Sequence, residues 1–132
     1  MAKLRHVAIN CQNLDESAKF YAEAFEMEEV GRVGDMEKGG AVYLSDGVIN
    51  VALIKITDPD FPNYKPEGLN HIGFVVDDVD AAVARVTSLG AVPQNDPTAA
   101  GAGATWEIKM KTPDGVGFDL TTHGWPGISL TS

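Results

Sequence analysis

A chain of 132 residues is short enough for one domain, and 44% hydrophobic with 22% charged residues places it among folded globular proteins. Nineteen acidic against ten scattered basic residues leave a formal charge of -9, which argues against nucleic acid, an anionic membrane surface or a highly anionic substrate as partner. The lone Cys11 cannot close an intrachain disulfide, no apolar run reaches the roughly 18 residues of a spanning helix, and the N-terminus lacks a signal-peptide core, so a cytoplasmic protein is predicted.

Leu4 to Cys11 reads as a strand buried on one face. Asn13 follows as a helix N-cap, with Asp15 and Glu16 placed where the helix dipole favours negative charge. The helix is predicted over Leu14 to Phe25, with Leu14, Ala18, Tyr21, Ala24 and Phe25 as its apolar stripe. Three short strands come next, Glu28 to Val33, Ala41 to Leu44 and Ile49 to Ile56, separated by turns at Gly39-Gly40 and Asp46-Gly47. A linker, residues 58–66, carries three of the seven prolines.

Beyond it the pattern repeats at an offset of 65 residues. Leu69-Asn70-His71-Ile72-Gly73 matches Leu4-Arg5-His6-Val7-Ala8, and Asp78-Val79-Asp80 matches Asn13-Leu14-Asp15. Asp78 caps a second helix with the stripe Val79, Ala82, Val83 and Val86, closed by Leu89-Gly90. Strands near Ala91 to Pro93, Thr105 to Lys111 and Val116 to Thr121 complete it, the last two joined by the turn Pro113-Asp114-Gly115. The prediction is an α+β domain of two tandem βαβββ units, residues 1–57 and 67–123, with one-sided helices packed on sheets and a tail over 124–132.

Leu4-Arg5-His6-Val7, the run Asn13 to Tyr21, the run Leu69 to Asp78, and Pro113-Asp114-Gly115 followed by Phe118-Asp119-Leu120 together resemble the vicinal oxygen chelate superfamily, which includes glyoxalase I, methylmalonyl-CoA epimerase, extradiol dioxygenases and bleomycin-resistance proteins. The resemblance implies curved mixed sheets that enclose a shared cavity, with the helices on the outer face. It also implies one divalent metal per site (iron, zinc, manganese or nickel), a small-molecule substrate and a homodimer.

Strand alternation gives an independent reason to pair the histidines. With His6 on the concave face, Ala8 and Asn10 join it, while Val7, Ile9 and Cys11 face the helices. His71, Gly73 and Val75 repeat the arrangement, so small residues beside each imidazole leave room for a metal and a ligand. The resemblance makes His6 and His71 ligands and places Asp119 where the family usually has glutamate, with His123 as substitute or supplement and Thr121 on the same face. The equivalent position of the first unit, Val51 or Ala52, has no carboxylate, and only Asn50 offers an oxygen there. Two histidines and one carboxylate match the facial triad of non-haem iron oxygenases.

Glu107 and Lys109 share a strand face and read foremost as an exposed charge ladder, with a base or anion contact as the other use. Trp106, Ile108 and Met110 alternate with them as cavity wall or core; Trp125 either caps the cavity or anchors the tail on the surface. Ala99 to Ala104 reads as a mobile lid or a hairpin connection. The resulting expectation is a small metal-dependent enzyme of the glyoxalase or dioxygenase type, with lyase, isomerase and ring-cleaving chemistry all open. The alternative is a metal-free module that binds a small molecule or antibiotic.

Overall fold

In the computed structural model, which describes residues 1–61, 64–94 and 107–132, alternating strands and two capped helices form along the chain in the predicted order. The first unit comprises β1 (Lys3–Asn10), α1 (Leu14–Phe25), β2 (Glu28–Asp35), β3 (Gly39–Ser45) and β4 (Asn50–Lys55). The second comprises β5 (Gly68–Val75), α2 (Val79–Ser88), β6 (Val92–Pro93), β7 (Glu107–Lys111) and β8 (Gly117–Thr121). Both caps form as their chemistry requires. Asn13 accepts from the Glu16 amide at 3.1 Å and Asp78 from the Ala81 amide at 3.0 Å, each satisfying a donor the helix itself cannot.

The eight strands make one mixed, curved, open sheet in the order β2-β3-β4-β1-β5-β8-β7-β6. Within each unit the first strand runs parallel to the last, β1 with β4 and β5 with β8. The units join where β1 and β5 pair antiparallel, His6 opposite Gly73 and Ala8 opposite His71. The predicted pair of sheets is therefore continuous across this seam.

Each unit keeps its own core between helix and sheet. In the first, Leu14 and Ala18 pack on Val42, Leu44 and Leu53, and Cys11 is buried with them as packing. In the second, Val79, Ala82, Val83 and Val86 pack on Met110, Phe118 and Leu120, and Ile108 joins them on the wall. The α1 stripe is shorter than its periodicity suggests: Ala24 is exposed and Phe25 is 61% exposed. Phe25 instead meets Phe20 edge-on and Tyr21 at a tilt, with ring centroids 5.8 and 5.9 Å apart, so the aromatics of the last turn cover one another. The Ala99 to Ala104 segment and Trp106 lie outside the described residues. Among the described residues, no helix is long and apolar enough to cross a membrane.

Helix α1 ends at Glu26, an exposed residue at φ 57, the left-handed region where a side chain costs energy and glycine does not. Glu26→Gly is expected to stabilise the protein by roughly 1 kcal/mol. Leu53→Ala, at a fully buried site, should cost about 2–5 kcal/mol. Urea denaturation of both variants beside the parent checks the two opposite signs.

Candidate metal centre

The β1–β5 seam sets the geometry. His6, Gly73 and Asp119 lie in one row across β1, β5 and β8, and His71 sits two residues from Gly73 on the same face of β5. The two imidazoles lean together until their Nε2 atoms are 3.1 Å apart, and Asp119 Oδ2 lies 3.1 Å from His71 Nε2. Side-chain ligand atoms of all three lie within 4.8 Å of one another, in a single chain. The same registers place Ala52 opposite Ala8 as Asp119 lies opposite Gly73, so the first unit's counterpart of Asp119 is an alanine.

Hydrogen bonds on the far side of each ring fix which nitrogen faces the centre. Asn50 donates through Nδ2 to the Pro126 carbonyl at 2.9 Å, which turns its Oδ1 toward His6 Nδ1 at 2.8 Å. An amide oxygen only accepts, so His6 carries its proton on Nδ1 and presents a lone pair at Nε2. His71 Nδ1 likewise donates to Asn70 Oδ1 at 2.6 Å. The two Nε2 atoms and a carboxylate oxygen thus converge on a point where either a proton on His71 Nε2 or a cation relieves their repulsion. His6, His71 and Asp119 would hold a divalent metal with nitrogen and oxygen donors, and the two 3.1 Å separations bring those donors within reach of a single ion. Outer hydrogen bonds of this kind are what hold metal-ligating histidines in orientation.

Burial, reinforced by the neighbouring His71, pushes His6 down to a pKa of about 4 despite its bond to Asn50. Asp119 is held below its ordinary range: burial works against its charge, but the hydrogen bond with His71 and the charge of Lys109 outweigh it. The Lys109 ammonium, opposite Asp119 on β7, is placed 3.2 and 3.3 Å from the two Asp119 oxygens and 2.9 Å from Glu107 Oε1. Burial opposes the charge on Lys109 as well, yet the two carboxylates raise its pKa above the ordinary value.

Glu107 and Lys109 are therefore not the exposed ladder that reads most simply from the sequence; their side chains are 18% and 13% exposed. They face the concave side because β7 pairs with β8 in the register that sets Lys109 against Asp119. Trp125 is likewise inside. Its indole stacks on His6 with centroids 4.4 Å apart and planes 7° from parallel, and its Nε1 donates to Glu107 Oε2 at 2.9 Å. A methyl group at Gly73 would lie 2.5 Å from this ring, so the space beside His71 that glycine leaves is filled by tryptophan, not by a ligand.

The remaining candidates lie further out. Asn10 is buried near Asn70, with its Oδ1 3.4 Å from Asn70 Nδ2 and its own Nδ2 without a protein partner. Thr121 is buried, and its hydroxyl accepts from the His123 and Gly124 amides at 3.0 and 3.4 Å, which shapes the start of the tail. His123 is exposed past the end of β8, outside the three-residue group. A cavity of about 440 Å³ opens beside the centre, lined by His71, Lys109, Asn70, Gln94, Ile54 and Phe61 among others. Asn70 and Gln94 carried no sequence signal of a site role beyond Asn70's place beside His71.

Residues 3–120 match the family described as Glyoxalase/Bleomycin resistance protein/Dioxygenase superfamily. No curated protein matches the sequence. Among solved structures, a hypothetical protein, BH1468 from Bacillus halodurans C-125, aligns with a TM-score of 0.71 at 19% identity, covering 91% of this chain and 93% of that one. A Streptomyces coelicolor methylmalonyl-CoA epimerase variant in complex with 2-nitronate-propionyl-CoA aligns at 0.64 and 22% identity, with 89% and 94% covered. A 4-hydroxymandelate synthase variant from Streptomyces coelicolor aligns at 0.67 and 20% identity over 96% of this chain and 51% of that protein. These identities speak for a common fold, and the family match spans nearly the whole sequence. The chain belongs to the Glyoxalase/Bleomycin resistance protein/Dioxygenase superfamily.

Proposed function

We propose that this protein is a metal-dependent enzyme whose small-molecule substrate presents two adjacent oxygens to a centre held by His6, His71 and Asp119. The observation that carries the reading is the convergence of two imidazole Nε2 atoms and one carboxylate oxygen, at separations that a divalent cation would bridge. When bound, such a cation supplies Lewis-acid polarisation of the substrate oxygens. The chain's own residues supply the rest. Asn50 and Asn70 hold the rings in the required tautomer, and Trp125 closes one flank of His6. The cavity beside His71 admits a compact molecule, flanked by Ile54 and Phe61 on its apolar side and by Asn70, Gln94 and Lys109 on its polar side. All three donors come from one chain.

One observation favours a second reading, a metal-free binding pocket. Lys109 already neutralises Asp119, and a proton on His71 Nε2 would join Asp119 to His6 without any metal.

Elemental analysis of the purified protein separates the two. One divalent metal per chain is expected, lost in the His6→Ala, His71→Ala double variant. A parent protein that neither retains nor takes up metal sinks the enzyme reading in favour of the pocket.

The metal-free protein has a pH signature of its own. His6 stays neutral in the fold down to about pH 4, whereas the unfolded chain takes up that proton near the ordinary 6.5. Between those values the unfolded state binds more protons, so stability should fall by about 3 kcal/mol as pH drops from 6.5 to 4. Urea titrations at several pH values across this window check it, with His6→Phe expected to flatten most of the slope.

A further inference from the structure

Resting on the metal reading above, we infer that Lys109 is a specificity-determining residue that selects an anionic vicinal-oxygen compound, such as a 2-oxo or 2-hydroxy carboxylate, over a neutral one. Lys109 is the buried ammonium of the centre: it lines the cavity together with His71 and sits against the Asp119 carboxylate. Its partners among the described residues are two carboxylates, Glu107 and Asp119.

Charge counting gives the consequence. Two neutral histidines, two carboxylates and one ammonium leave the centre at minus one, and a divalent cation brings it to plus one. Without Lys109 the loaded centre would be neutral. Lys55 and Asp58, also on the cavity lining, are of opposite sign and offset each other. A ligand that brings one negative charge therefore completes the balance beside the largely buried Lys109, whereas a neutral chelator leaves a net positive charge there.

Lys109 has a second, opposite effect. By occupying both Asp119 oxygens it competes with the cation for the same carboxylate. Removing the ammonium should therefore tighten the metal while loosening an anionic chelator. Damage to packing would weaken both.

Cobalt(II) provides the probe, since its visible spectrum reports on both its own binding and that of added oxygen ligands. Cobalt-loaded parent, Lys109→Met and Lys109→Arg proteins are titrated with glycolate and with neutral glycolamide. Lys109→Met is expected to bind cobalt at least as tightly as the parent, to lose about tenfold or more in glycolate affinity, and to change little toward glycolamide. Lys109→Arg should recover most of the glycolate affinity by restoring the charge. Equal losses for both chelators, or unchanged glycolate binding, overturn the inference while leaving the metal centre standing. Failure of the parent to take up cobalt overturns the metal reading and the inference with it. Should Lys109→Met not fold, Lys109→Gln carries the same comparison.

Discussion

The site depends on the antiparallel pairing of β1 with β5. Side chains alternate across a sheet, so a slip of one residue at this seam would send His6 or His71 to the helix side and bring core residues such as Ile72 into the cavity. The seam is held from both faces. On one side each unit has an apolar core of its own under its helix; on the other, His6 and His71 meet, and the Trp125 ring lies over Gly73. Interruptions of the regular ladder between Leu4 and His6 and between Ala8 and Ile9 flank the two pairings that matter, so the strands adjust on either side of the imidazoles.

The two units are alike in backbone and unlike in chemistry. The second supplies a carboxylate from its last strand; the first has Ala52 in that place, and the tail supplies contacts near His6. Trp125 stacks on His6, the Pro126 carbonyl orients Asn50, and the Gly127 carbonyl accepts from Ser45 Oγ at 2.6 Å. Gly127 has φ +81, and a Cβ there would press on Ser45, so this path over the first unit requires glycine. Arg5 holds the end of the tail through the Ser129 and Ser132 carbonyls. The open cavity lies between the units, with Gly39, Gly40, Ile54 and Lys55 of the first facing His71 and Lys109 of the second.

Much of this was legible in the sequence, for identifiable reasons. Period-two alternation told which residues share a face with His6, and the repeat supplied its partner 65 positions on. Helix caps are local, so Asn13 and Asp78 announced their helices without any tertiary information. Glu107, Lys109 and Trp125 were not assigned their places, because those depend on long-range facts. Alternating charges on a strand look the same whether that face is wet or covered, and only the β7–β8 register sets Lys109 against Asp119. No periodicity governs the tail, so the burial of Trp125 follows from the shape of the space above Gly73.

The global charge of -9 describes the surface as a whole, whereas the surroundings of Lys109 follow a local balance. At physiological ionic strength charges more than about 8 Å apart are largely screened through solvent, so acidic groups on distant surfaces contribute little inside the cavity. What counts there is the handful of groups that exclude water from one another. Lys109 stays charged against the cost of burial because two carboxylates flank it, and Asp119 is held ionised in part by Lys109. Neither sign can be removed without leaving the other as an unpaired buried charge, so the local balance is set by these few groups and not by the surface. Net acidity at a distance therefore does not fix the sign of the field inside the cavity.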